Sequence, residues 1–130
     1  MSARIDGVPW VAIPQAIQVL RVNLPSGTSL LSMGGNDRFA CPILLLTIAM
    51  PRAVGTYTLG PGSVANASLG SSNCSTAGWS TIFGGSGSIT ITTLTSTTAA
   101  GAFSANLTPT SGSTATGTRV ITEGAFSVTF

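Results

Sequence analysis

A two-residue periodicity constrains this chain more than any other feature. In GSGSITITTL, Gly85 to Leu94, apolar and hydroxyl residues alternate strictly over the isoleucines. That spacing sends successive side chains to opposite faces of a strand, one face apolar and one polar. Similar segments recur along the sequence, separated by Gly, Pro, Ser and Asn. SARI and PWVAI flank Asp6-Gly7, a hairpin dipeptide. AIQVLRVNL (Ala16–Leu24) is bracketed by Pro14 and Pro25, and its β-branched residues favour a strand over a helix. TSLLSM follows, and GGNDR (34–38) reads as a loop. CPILLLTIAM reads as the central strand, apolar on both faces and ended by Pro51.

Beyond it come GTYTLG (55–60), SVANASLG (63–70), a loop holding Cys74, GWSTIF (78–83), and the alternating strand at about 86–95. GAFSANLT (101–108) follows a small-residue connection, and TSGSTATG (110–117) reads as a turn. TRVITEGAFSVTF closes the sequence, with Gly124 marking a bulge or bend. No window carries a helical apolar stripe. The prediction is an all-β fold, an antiparallel β-sandwich or barrel in a single domain with no significant helix. Its 130 residues suit one domain with a core of its own. Residues 1–14 form an N-terminal strand segment that a neighbouring subunit could exchange, and residues 15–130 form the sandwich.

Composition then limits the chemistry. Only 6% of residues are charged, against about 25% in an average soluble protein. The cations are Arg4, Arg21, Arg38, Arg52 and Arg119, the acids are Asp6, Asp37 and Glu123, and Lys and His are absent. No basic patch exists to neutralise a run of phosphates, so nucleic acid is not an expected partner. Without His or Lys, the usual bases for a serine or cysteine nucleophile are missing. GGSGS (84–88) departs from the nucleophile elbow at Ser88 and has no helix after it. Three acids, each with a local turn or bend to serve, make a poor source of paired glycosidase carboxylates. GGND supplies too few oxygens for calcium, and GPGSVA (60–65) lacks the helix that a dinucleotide fingerprint requires. Two cysteines and no histidine give no metal-ligand spacing. The expectation is therefore no enzyme, no cofactor and no metal.

Cys41 and Cys74 are either two buried thiols or, the favoured reading, a disulfide, which would close a loop worth about 3–4 kcal/mol in the chain-entropy model. Such a bond belongs to an oxidising compartment. Met1–Leu20 lacks a basic segment followed by an apolar run, so an exported chain would have lost its signal before this numbering begins. PILLLTIAM (Pro42–Met50) is too short to span a bilayer, and no transmembrane segment is expected. Sequons at Asn66, Asn73 and Asn106 fall within what chance supplies in a chain this rich in Ser and Thr.

The order RIDGVPW, GTYTLG, SGSITITTL, GAFSANL, TEGAFSVTF resembles a group of uncharacterised bacterial envelope domains of lipoprotein type. The likeness covers most of the chain from Tyr57 onward. It implies an extracytoplasmic β-sandwich at the cell surface and supplies no site. This chain departs from the group in CPILLLTIAM and in lacking charged turns.

Two functions remain in view. One is a self-assembling structural subunit of a filament or surface layer, a homo-oligomer or homopolymer held by strand edges and charge-poor interfaces. The apolar segment with Val8, Trp10, Val11 and Ile13 would add to a neighbour's sheet. The other is a monomeric surface domain that binds a small molecule or glycan on the rings of Trp10, Tyr57 and Trp79.

Overall fold

In the computed structural model, residues 1–23, 29–38, 42–49, 53–70 and 76–129 are described. Cys41 and Cys74, the expected disulfide, lie outside these residues. Eleven strands make one connected sheet: β1 Ser2–Ile5, β2 Val8–Val11, β3 Gln18–Asn23, β4 Ser29–Asn36, β5 Ile43–Ala49, β6 Gly55–Leu59, β7 Ala65–Gly70, β8 Gly78–Ser80, β9 Ser86–Leu94, β10 Thr98–Pro109 and β11 Arg119–Thr129. The strand order is β2-β1-β11-β10-β9-β6-β7-β5-β4-β3, with β8 joining β7 to β10. The path β10-β9-β6-β7-β8 therefore closes on itself as a small barrel. Two wings extend from that ring, β11-β1-β2 from β10 and β5-β4-β3 from β7. The only helical element among the described residues is a 3-10 turn, Pro14–Ala16. The all-β single-domain expectation holds.

The wings fold onto each other over one apolar cluster. Rows of facing residues supply it. Val19, Met33, Leu46 and Ala67 lie across β3, β4, β5 and β7, and Tyr57, Ile89, Phe103 and Gly124 lie across β6, β9, β10 and β11. Two GAF tripeptides face each other at the centre of β10 and β11. Gly101 opposes Phe126, Ala102 opposes Ala125, and Phe103 opposes Gly124. Each ring lies over the opposite glycine. A Cβ on Gly124 would sit 2.6 Å from the Phe103 ring, and one on Gly101 would sit 2.8 Å from the Phe126 ring. The rings meet at a centroid distance of 6.4 Å. Beside this crossing β11 carries one extra residue relative to both β10 and β1, and Glu123 adopts a φ of 51° there. This is the bulge expected near Gly124.

Three details differ from the sequence expectation. GGN (34–36) belongs to β4 rather than to a loop, because residue 12 packs where a side chain on Gly35 would stand. A Cβ there would be 2.8 Å from that of Ala12, while the Ile13 N–H donates to the Asn36 carbonyl at 3.0 Å. In β5, Leu44, Leu46 and Ile48 are fully buried, but Ile43 and Leu45 are exposed, so only one of its faces is covered. GWSTIF stops being strand at Ser80. Thr81 is fully buried, and its hydroxyl accepts from the Ala67 N–H at 3.0 Å. Thr81 thereby fills the ladder of β7 between the short pairings that β6 and β8 make with it.

Gly124→Ala forces a methyl into the Phe103 ring and backbone. The expected loss is about 3 kcal/mol or more of unfolding free energy, read from urea denaturation.

Candidate functional site

The residues singled out from sequence fall into three separate places. Asp6 and Gly7 form the two-residue turn of the β1–β2 hairpin, both with positive φ (52° and 81°), which is the type I′ geometry. In such a hairpin Ile5 and Val8 exchange ladder bonds, and the bonded pairs recur at every second position. The Ala12 N–H to the Met1 carbonyl, 3.0 Å, falls where this alternation puts it. Pro9 then belongs to a non-bonded pair and presents its nitrogen, without a hydrogen, to the outside of the sheet. Val8 and Val11 are 66% and 61% exposed on this strand, and Ile13 is at the margin of exposure.

Trp10 does not share that surface. It is 4% exposed, packs in the core of its own chain opposite Ala3, and its Nε1–H donates to the Pro42 carbonyl at 3.2 Å. Of the four residues proposed to meet a neighbour, Trp10 instead ties the β2 wing to the start of β5.

The three candidate ring platforms are likewise engaged within the chain. The Tyr57 hydroxyl donates to the Ala53 carbonyl at 2.7 Å and closes the segment leading into β6. Trp79 donates from Nε1 to the Gly117 carbonyl at 3.1 Å, and the Arg119 guanidinium covers its ring at 4.6 Å from the centroid. Among the described residues the ring pair in contact is Phe103–Phe126, and no stack joins Trp10, Tyr57 and Trp79. They form no common platform.

One polar cluster was not anticipated. Arg119, at the start of β11, reaches the Asp6 carboxylate at 2.6 Å while stacking on Trp79. Asp6 also accepts the Val120 N–H at 2.8 Å. First that backbone bond and then the Arg119 side-chain bond hold the Asp6 carboxyl below its usual value of 3.8. A second pair, Arg4 to Glu123 at 3.0 Å, spans β1 and the bulge of β11. Both acids are therefore neutralised by cations from the adjacent strand. The cluster fastens the first hairpin to the barrel and stacks charge on an aromatic face. The signal available in sequence was Asp6 itself, since Asp takes positive φ readily but also seeks a donor.

The outer face of the barrel sheet is hydroxylic and uncharged across β6, β9 and β10. Thr58, Ser88 and Ser104 form one row, and Thr56, Thr90 and Ala102 the next. The Thr56 and Thr90 hydroxyls bond each other at 2.9 Å. Among the described residues no helix is long and apolar enough to cross a bilayer.

Comparisons of the chain with protein-family models, with curated proteins and with solved structures gave no match.

Two measurements follow from this geometry. Asp6→Asn is expected to cost about 1 kcal/mol at neutral pH, the ordinary worth of such bonds at a partly exposed site. Because the folded carboxyl titrates below the unfolded one, its contribution is complete above the unfolded pKa of about 4. It fades as pH falls through the folded value, so denaturation curves of wild type and variant should converge in acid. Trp10→Ala should cost about 3–5 kcal/mol by urea unfolding, while Trp79→Ala, at a half-exposed ring, costs less.

Proposed function

We propose that this chain is a non-enzymatic structural subunit that associates with copies of itself into an extracellular filament or surface layer. The observation that carries the reading is the uncharged, hydroxyl-lined outer face described above. Soluble β-proteins keep strangers off their sheets with Lys and other charges, and this chain has no Lys. Four of its ionised side chains are also paired within the chain: Arg4 with Glu123 and Arg119 with Asp6. Covering a threonine whose hydroxyl already has a partner costs far less than covering a charge. The extracellular part follows from the expected Cys41–Cys74 bond, which would belong to an oxidising compartment.

A glycan-binding domain is the weaker reading, because Trp10, Tyr57 and Trp79 each hydrogen-bond their own backbone in different parts of the fold.

Analytical ultracentrifugation tests the proposal. The native chain should sediment as multimers whose size changes little between tens of millimolar and molar salt, since screening acts on few charges. A monomer at every concentration and ionic strength would overturn it.

A further inference from the structure

Asp6 is the one Asp or Asn in the sequence that glycine follows. That dipeptide carries a chemistry of its own. A backbone nitrogen can attack the carboxyl carbon of the preceding aspartyl side chain, and glycine leaves the approach clear because it has no Cβ. The five-membered imide that forms reopens in water at either carbonyl. One opening restores aspartate. The other leaves the main chain running through the side-chain carbon, as isoaspartate.

The nucleophile is open to attack in this fold and the electrophile is not. Gly7 is exposed, its N–H donates to no group among the described residues, and a Cβ built on it would meet nothing within 4 Å. The Asp6 carboxylate is engaged at both oxygens. Oδ1 accepts the Val120 N–H at 2.8 Å, and Oδ2 accepts from the Arg119 guanidinium at 2.6 Å. The Asp6 N–H also donates to the Val120 carbonyl at 2.8 Å, so main chain and side chain grip the same residue of β11. Imide formation needs the carboxyl to take a proton and shed an oxygen as water. The bonds that hold its pKa below the usual value oppose that protonation. Arg4 steadies the far side of the turn by donating from Nη1 to the Gly7 carbonyl at 2.9 Å.

We propose that Asp6-Gly7 is an isoaspartate-forming site that the contacts from Val120 and Arg119 hold closed, and that conversion follows release of this turn from β11. In the first step the Gly7 nitrogen bonds to the Asp6 Cγ and loses its proton, while one carboxyl oxygen leaves as water. In the second step water adds back, so the product keeps the mass of the original chain and no oxidant or other reagent is consumed. Isoaspartate adds one carbon to the main chain of a two-residue turn whose length sets the Ile5–Val8 pairing. Its free carboxylate sits directly on Cα, one carbon shorter than before, and no longer reaches the Val120 N–H and Arg119 together. The modified turn therefore does not regain its seat on β11. The inference concerns the first hairpin alone and stands whether or not the chain self-associates.

Peptide mapping and enzymatic methylation of isoaspartyl carboxylates, followed through a long incubation at neutral pH, test the proposal. Folded wild type should form isoaspartate at Asp6 at least about tenfold more slowly than the same chain unfolded in urea, the change that one charge-assisted hydrogen bond produces in a rate. Arg119→Gln, with its fold confirmed by circular dichroism, should convert about tenfold faster than the wild type. Glu123→Gln breaks the neighbouring ion pair without touching Asp6 and should leave the rate unchanged. Conversion in urea no faster than in the folded chain, or no product at all, overturns the site. A folded Arg119→Gln that converts at the wild-type rate overturns the hold, and so does equal acceleration by Glu123→Gln. Should Arg119→Gln fail to fold, the comparison of folded with unfolded wild type carries the test.

Discussion

The crossing of β10 and β11 at the two GAF tripeptides is the contact on which the other strands depend. Glycine opposite phenylalanine, twice, leaves room that a side chain would close: a Cβ on Gly124 would meet the Phe103 carbonyl and ring, and one on Gly101 would meet the Thr90 carbonyl of β9 and then the Phe126 ring. The rings thereby fill the core close to the sheet, with both phenylalanines buried. β10 then supports β9 on its other side and β8 at its end, which closes the barrel. β11 supports β1 across the Glu123 bulge, which turns the first hairpin so that Trp10 drops into the core. One reciprocal pair of tripeptides thus sets both the ring and the wing.

Charge enters this fold chiefly as a fastening. Arg119 joins the Asp6 turn to Trp79, and Arg4 joins β1 to Glu123. Both pairs are partly exposed, so each adds little stability by itself. Their placement matters more than their number. They secure a hairpin that has a sheet neighbour on one side only, and they leave the outer face of the barrel neutral. A surface of this kind meets water with hydroxyls, which hydrate well but repel nothing.

The sequence was legible where local chemistry decides the outcome. The Asp6-Gly7 turn, the alternation of Ser86–Leu94 and the bulge near Gly124 all depend on residues close in the chain. It was not legible where a distant segment decides. Gly35 looks like a loop residue until Ala12 arrives to occupy the space above it, and Gly34 until the Leu44 carbonyl and the Leu45 side chain do the same on β5. Leu45 looks like core because its neighbours are, yet its face of β5 receives no second layer. Thr81 looks like a strand residue but serves as a ladder patch, since β6 and β8 each reach only part of β7. The same limit applies to Trp10. Its apolar surroundings were equally consistent with meeting a neighbour, and only the fold of the β2 wing assigns its indole to Pro42.

The hydroxyl face can now be given a physical reason. Thr56 with Thr90 and Ser32 with Thr47 are hydroxyl pairs that bond each other across neighbouring strands. A hydroxyl so engaged has part of its hydrogen-bonding capacity satisfied before any contact is made, so covering it removes fewer bonds to water. A lysine in the same place would have to be desolvated or kept outside. The strand still gains from the β-branched shape of threonine, which suits a pleated surface. Alternating isoleucine with threonine therefore builds a sheet whose inner side is committed to the core. Its outer side stays wet alone or dry against another surface at modest cost, and that tolerance is the property the proposed assembly needs.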